Sequence, residues 1–248
     1  ELYYHAPDNV RDGLIAALLE TDNAHEAGNL LSCLAFQGDN KAMETLLELE
    51  RNPRPWRKSL YVDPSNYAQI GGWTFDKGGY RTQLNFDTCY PMVKGAPAEA
   101  SPVRIGRARE DTCPHCSGHM VDMLVLDGRD ERLNFLGLDG ILTATCCPNC
   151  VGFLKGPAFN RFTLDGSAEV FPSELFDGAK KIKCYVRPED YKTLTENPFV
   201  LGKAPMPLFY GAACEDVNTI GGFANWVQDA EYTACPHCGK PMKYLAQI

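Results

Sequence analysis

Two C-x-x-C turns constrain this chain more than any other feature: Cys113-Pro114-His115-Cys116 and Cys147-Pro148-Asn149-Cys150. Thiolates two residues apart grip one edge of a tetrahedral metal ion, and two such pairs fill all four positions with bonds of about 2.3 Å. A shell of four sulfurs leaves no place for water or substrate, so the motif predicts a structural zinc site. The 30 residues between the pairs exceed the roughly 15–20 of a common ribbon, and a longer hairpin is expected to bridge them. The adjacent cysteines Cys146 and Cys147 leave two choices for the third ligand.

The rival reading of C-P-H-C is a thiol–disulfide oxidoreductase, which places that spacing at a helix N-terminus. Here Ser117-Gly118 follows the first pair, and Gly239-Lys240-Pro241 follows a later copy, Cys235-Pro236-His237-Cys238. Glycine and proline favour a knuckle turn over a helix. Met120–Leu126 (MVDMLVL) reads as a buried strand, and a knuckle followed by a strand is ribbon architecture.

The remaining pattern gives an α+β fold, with an N-terminal helical segment (1–52) packed on a mostly antiparallel sheet domain (56–248) carrying the ribbon at about 110–152. Val10, Leu14 and Leu18 form one stripe, widened by Ile15 and Leu19, behind a cap at Asp8. A second helix spans Ala24–Gln37, with Leu30, Leu31 and Leu34 inward and Cys33 in the same apolar surface. Gly38 stops it, Asp39 caps the next helix, and Met43, Leu46 and Leu47 face the core. Pro53 and Pro55 end the helices. Thereafter Tyr80, Thr82, Leu84 and Phe86 alternate as one strand, joined to Trp73–Phe75 through Asp76–Gly79. A hairpin of Thr163–Leu164 and Ala168–Phe171 is expected across Asp165-Gly166, a strand over Ile182–Val186, and a short helix from Pro188.

The C-P-H-C turn repeats at an offset of 122 residues, and Ile70-Gly71-Gly72-Trp73 returns as Ile220-Gly221-Gly222-Phe223 at an offset of 150. In the first copy the partner pair begins 31 residues after Cys116, which from Cys238 falls past residue 248. Cys235 and Cys238 are therefore candidate metal ligands with an unassigned partner pair. Cys214, Cys184, Cys89 and Cys33 are the alternatives along the chain.

Eleven cysteines, six of them in C-x-x-C pairs, fit metal binding in a reducing cytoplasm better than a disulfide framework. No apolar run approaches the eighteen or so residues of a membrane span. A net charge of −8 opposes tight binding to nucleic acid and suits a basic partner. Arg104, Arg107 and Arg109 are the counter-indication, and Glu110 and Asp111 follow them directly. Motifs for metalloproteases, serine hydrolases, P-loops and dinucleotide folds are absent, which makes a non-catalytic protein the first expectation. The alternatives are, in order, a nucleic-acid-binding zinc ribbon that uses those arginines and an enzyme whose site is assembled from distant residues. His119 is a conceivable fourth ligand, and Cys214 with Glu215 and Asp216 is a compact acidic–thiol group. Trp226 and Tyr232, with Gln228, form a candidate recognition surface.

The run Ile220–Tyr232 (IGGFANWVQDAEY), the knuckle C-P-H-C-G-K-P-M and the ending Leu245-Ala246-Gln247-Ile248 resemble the bacterial YwqG-like family. Leu136-Gly137-Leu138 and Cys89-Tyr90-Pro91 resemble its longer members, and the likeness covers roughly residues 35–248. That family has no agreed activity. The resemblance implies a β-rich fold, and the toxin–immunity gene settings of similar members imply a protein-binding role, such as an immunity protein that blocks a basic toxin domain.

Overall fold

The structure, a computed structural model, describes residues 2–95, 101–153, 156–170, 183–196, 199–209, 217–226 and 230–248. The chain is α+β, with helices first and antiparallel strands after them. It divides into two compact units. One holds the described residues within 1–87, 208–215 and 221–247; the other holds those within 88–207 and 216–220, with Ile248.

In the first unit, α1 (Asp8–Glu20), α2 (Ala24–Gln37) and α3 (Asn40–Arg51) bury the expected stripes. Leu14, Leu18, Leu31, Leu34 and Leu46 are core, and Ile15, Leu30, Cys33 and Met43 pack at its margin. Leu19 and Leu47 depart from the expectation: Leu19 is 45% exposed on the outer face, and in α3 the buried leucine beside Leu46 is Leu49, not Leu47. Asn23 caps α2 by accepting from the N–H groups of His25 and Glu26, and Asp39 caps α3 by accepting from Ala42. Asp8 lies in the first turn of α1, behind Pro7 at the cap position, and pairs with Arg11.

The core of the helices continues past residue 52. Two 3-10 helices, Pro55–Ser59 and Pro64–Gly71, and strand β1 (Trp73–Phe75) deliver Trp56, Ala68 and Trp73 to it. The Trp73 indole N–H donates to the Ala35 carbonyl at 2.7 Å. Arg81 lies 5.1 Å over the ring and also reaches the Gly38 carbonyl. A Cβ on Gly71 would stand 2.0 Å from the same Ala35 oxygen, so only glycine allows this approach.

β1 pairs antiparallel with β2 (Arg81–Gln83) across the expected turn, where Asp76 accepts from the N–H groups of Gly78 and Tyr80. The single strand expected over residues 80–86 is broken. Gly72, left-handed at φ 76°, turns its carbonyl to accept from both Leu84 and Asn85. These two residues are buried, Tyr80 is 74% exposed, and β3 (Phe86–Lys94) starts afresh.

The second unit is built on β4 (Val103–Thr112), β5 (His119–Asp127) and β6 (Ile141–Cys146), an antiparallel sheet in that order. β7 (Asn160–Phe162) and β8 (Ala168–Val170) form the hairpin around Asp165-Gly166. Its first strand comes earlier than expected, because Thr163 belongs to the turn: its N–H donates to the Ser167 carbonyl, its carbonyl accepts from the Gly166 N–H, and its hydroxyl meets Asp165. Helix α4 (Pro188–Thr195) starts at the expected proline, with Asp190 accepting from the Arg187 N–H. β9 (Phe199–Leu201) pairs with Met92–Lys94 of β3. Of β10 (Asn218–Gly222), residues 218–220 fall in this unit and 221–222 in the first, to which β11 (Ala246–Gln247) also belongs. Lys183–Val186 is not the strand its alternation predicts. Its polar backbone is met by the Asn149 side chain, which accepts from Tyr185 and donates to Lys183. Ile182 and Phe171 lie outside the described residues.

Candidate metal centre

Sheet geometry explains how cysteines so far apart in sequence meet. β4 and β6 both pair antiparallel with β5, so the two outer strands run in the same direction and finish at the same end of the sheet. β4 hands the chain to Cys113, and β6 hands it to Cys147. The intervening length is taken up by β5, a 3-10 helix at Glu131–Leu136 and β6 itself.

Each pair sits in a tight turn. The N–H of Cys113 donates to the Gly118 carbonyl, and that of Ser117 to the Cys113 carbonyl, both at 2.8 Å. At the second pair the N–H groups of Cys150 and Val151 both donate to the Cys147 carbonyl. The sulfurs of Cys113, Cys116, Cys147 and Cys150 all lie within 4.8 Å of one another. Cys113 is 3.7 Å from Cys150, and Cys116 is 3.5 Å from Cys147. Ligands at 2.3 Å on a tetrahedral ion stand about 3.8 Å apart, so the spacing fits a metal with little rearrangement. The third position falls to Cys147; Cys146 ends β6 opposite Val121 and is not in the group.

Three ligands are buried and Cys116 is half-buried. Burial pushes the Cys147 thiol up to about 12, and that of Cys150 up as well. Burial acts upward on Cys116 too, but the Gly118 N–H and the neighbouring sulfurs outweigh it and hold this thiol below the ordinary value. Backbone N–H groups also meet sulfur directly, His115 on Cys113 and Gly118 on Cys116, each at 3.4 Å. Such donors favour thiolate, and binding a divalent cation drives off the remaining protons. The four cysteines can therefore hold a metal ion. A soft, anionic, tetrahedral sulfur set is that of zinc or an iron–sulfur centre.

Ser117 holds a left-handed backbone at φ 60°, which costs a residue bearing a Cβ roughly 1–2 kcal/mol. Ser117→Gly should therefore raise the thermal midpoint by the equivalent of about 0.5 kcal/mol, after the glycine's own chain entropy is counted. A melting curve checks it, and a lower midpoint contradicts it.

The other sequence candidates fall as follows. His119 is not a member of the sulfur group; its ring packs 5.2 Å from Tyr191, whose hydroxyl donates to the Met120 carbonyl. Beside the cluster opens a cavity of about 340 Å³, lined by His119, Asn149, Cys184, Arg187 and Tyr191 among others. Arg107 and Arg109 are turned onto the wholly buried Asp122 of β5, at 2.6 and 3.0 Å, and Arg109 also holds Asp111. Sequence reading missed this buried carboxylate. Its signal was an aspartate inside an otherwise apolar strand, which requires a partner.

In the first unit, Trp226 is 36% exposed and meets the Tyr232 ring edge-on at 5.3 Å. The Tyr232 hydroxyl donates to the buried Asn85, and burial raises its ionisation well above the ordinary tyrosine range. Gln228, Cys214, Glu215 and Asp216 lie outside the described residues. Cys235 and Cys238 form a turn of their own, and among the described residues no third donor joins them. No helix among the described residues is long and apolar enough to cross a membrane.

No protein-family profile and no solved structure matches the chain. It is similar to the uncharacterised protein YpfL of Salmonella typhimurium, with 29% identity over 251 residues. The match covers 99% of this chain and 56% of YpfL, so the chain spans about half the length of that curated relative.

Proposed function

We propose that Cys113, Cys116, Cys147 and Cys150 hold zinc as a structural ion, and that the protein is a non-catalytic binder of a protein partner, of the YwqG-like type. Four sulfur ligands would close the shell of the ion, so it would join two strand ends and present no site to a substrate. The observation that carries the choice of partner is the engagement of Arg107 and Arg109 by Asp122 and Asp111. It neutralises two of the three arginines a nucleic acid would use and leaves Arg104 exposed, in a chain of net charge −8. A basic protein is the complementary partner, and a toxin domain neutralised by an immunity protein is the specific form we propose.

Co-expression with basic toxin candidates, scored by growth, tests this. Protection is the expected result, with an association rate that falls as salt rises while dissociation changes little. Trp226→Ala should weaken the complex by about 2 kcal/mol, roughly thirtyfold. Protection against none of the candidates by a folded, metal-loaded chain would remove the immunity form, and salt-sensitive binding to DNA or RNA would replace it with the nucleic-acid reading.

A further inference from the structure

The turn Cys235-Pro236-His237-Cys238 repeats the backbone of the turn that carries Cys113 and Cys116. The N–H of Cys235 donates to the Lys240 carbonyl and that of Gly239 to the Cys235 carbonyl, both at 2.8 Å, matching the Cys113–Gly118 and Ser117–Cys113 bonds in position and length. Gly239 is left-handed at φ 69° where Ser117 is at 60°. An antiparallel pair closes each turn, Ala234 with Pro241 and Thr112 with His119. Backbone N–H groups of Cys238 and His237 are directed at the Cys235 sulfur, as that of His115 is at Cys113. In the first turn this arrangement presents two thiolates along one edge of a four-sulfur tetrahedron.

The two turns differ in their surroundings. Cys113 is buried, whereas Cys238 is exposed, Cys235 is half-buried and Pro236–Lys243 is exposed throughout. The second turn thus offers half a ligand set on an open surface.

We propose that Cys235 and Cys238 form a second metal half-site, which takes a thiophilic divalent cation such as zinc and completes its tetrahedron with two further thiolates from outside the turn. Each bound thiol releases its proton to solvent, and no electron transfer is involved. The two completing thiolates come either from elsewhere in the same polypeptide or from the same turn of a second copy, where a two-fold axis would generate four sulfurs. This site is independent of the proposed partner and of the buried cluster.

The test loads the full chain with cobalt(II) and compares it with a Cys235→Ser/Cys238→Ser double variant by native mass spectrometry and absorption. If the chain supplies its own donors, the variant binds one ion fewer per chain. If a second copy supplies them, it binds half an ion fewer per chain and a metal-dependent dimer disappears. Either loss comes with lower sulfur-to-cobalt charge-transfer absorption, while the band from the buried cluster persists and reports that the variant is folded. A measurement on the unsubstituted chain guards against misfolding: bound metal should slow alkylation of Cys235 and Cys238 about tenfold or more, because the free thiolate is the reacting species. Equal cobalt content in both proteins, or equal alkylation with and without metal, overturns the proposal.

Discussion

If the four cysteines hold a structural ion as proposed, a Cys113→Ser chain is expected to lose it and, with it, the packed end of the β4-β5-β6 sheet. The buried group there is small: Met120 and the cysteines themselves. Little hydrophobic burial is available to replace the ion. In small zinc domains metal binding supplies on the order of 10 kcal/mol of folding free energy, comparable with the whole stability of a typical domain. Stripping the metal from the unsubstituted protein with a chelator should lower the melting temperature in the same way. Cys146→Ser is the control. Its sulfur is outside the group, and the change should cost about 0.5–3 kcal/mol, the ordinary range for a single substitution. Thermal melts paired with elemental analysis decide the matter, and a Cys113→Ser protein that melts like the parent would rule out a structural ion.

The second large effect lies in the helical unit. Trp73→Ala removes a wholly buried indole and should cost about 3–5 kcal/mol, the usual range for emptying an aromatic site. Trp73→Phe fills most of the space but leaves the Ala35 carbonyl without its donor, which costs about 1–3 kcal/mol. The difference between these variants separates shape from hydrogen bonding. Denaturant midpoints measure both; a Trp73→Ala loss below about 1 kcal/mol would mean that the 3-10 segments and β1 do not anchor the helices.

The features legible in the sequence are those whose cause is local. Helical stripes, the cap at Asp39 and the turn at Gly38 depend on neighbours within a few residues, and the C-x-x-C turns carry their geometry in four positions; the cap expected at Asp8 falls one residue earlier, on Pro7, and Asn23 at the start of α2 went unread. What escaped depends on a distant partner. The break at Leu84-Asn85 is made by the Gly72 carbonyl, which no alternation pattern reveals. Lys183–Val186 reads as a strand, yet its backbone is satisfied by one asparagine from the second cysteine turn. That asparagine, Asn149, is itself buried between the two cysteines of its turn. The arginines before Cys113 looked available because their counter-charge, Asp122, is paired with them only once β4 and β5 meet.

The parallel course of β4 and β6 also bears on how such chains vary. Because the cysteine pairs are brought together by strand direction, the connector between β5 and β6 carries no duty in placing them. Closing a flexible loop twice as long costs only about 0.6 kcal/mol, small beside what a structural zinc ion would supply. Residues 128–140, on the far side of β5 and β6 from the sulfurs, are thus where this architecture can absorb added sequence, even a small inserted domain, without moving a single ligand. In this arrangement the spacing between the two cysteine pairs can lengthen while the turns and the strand pairing keep their form.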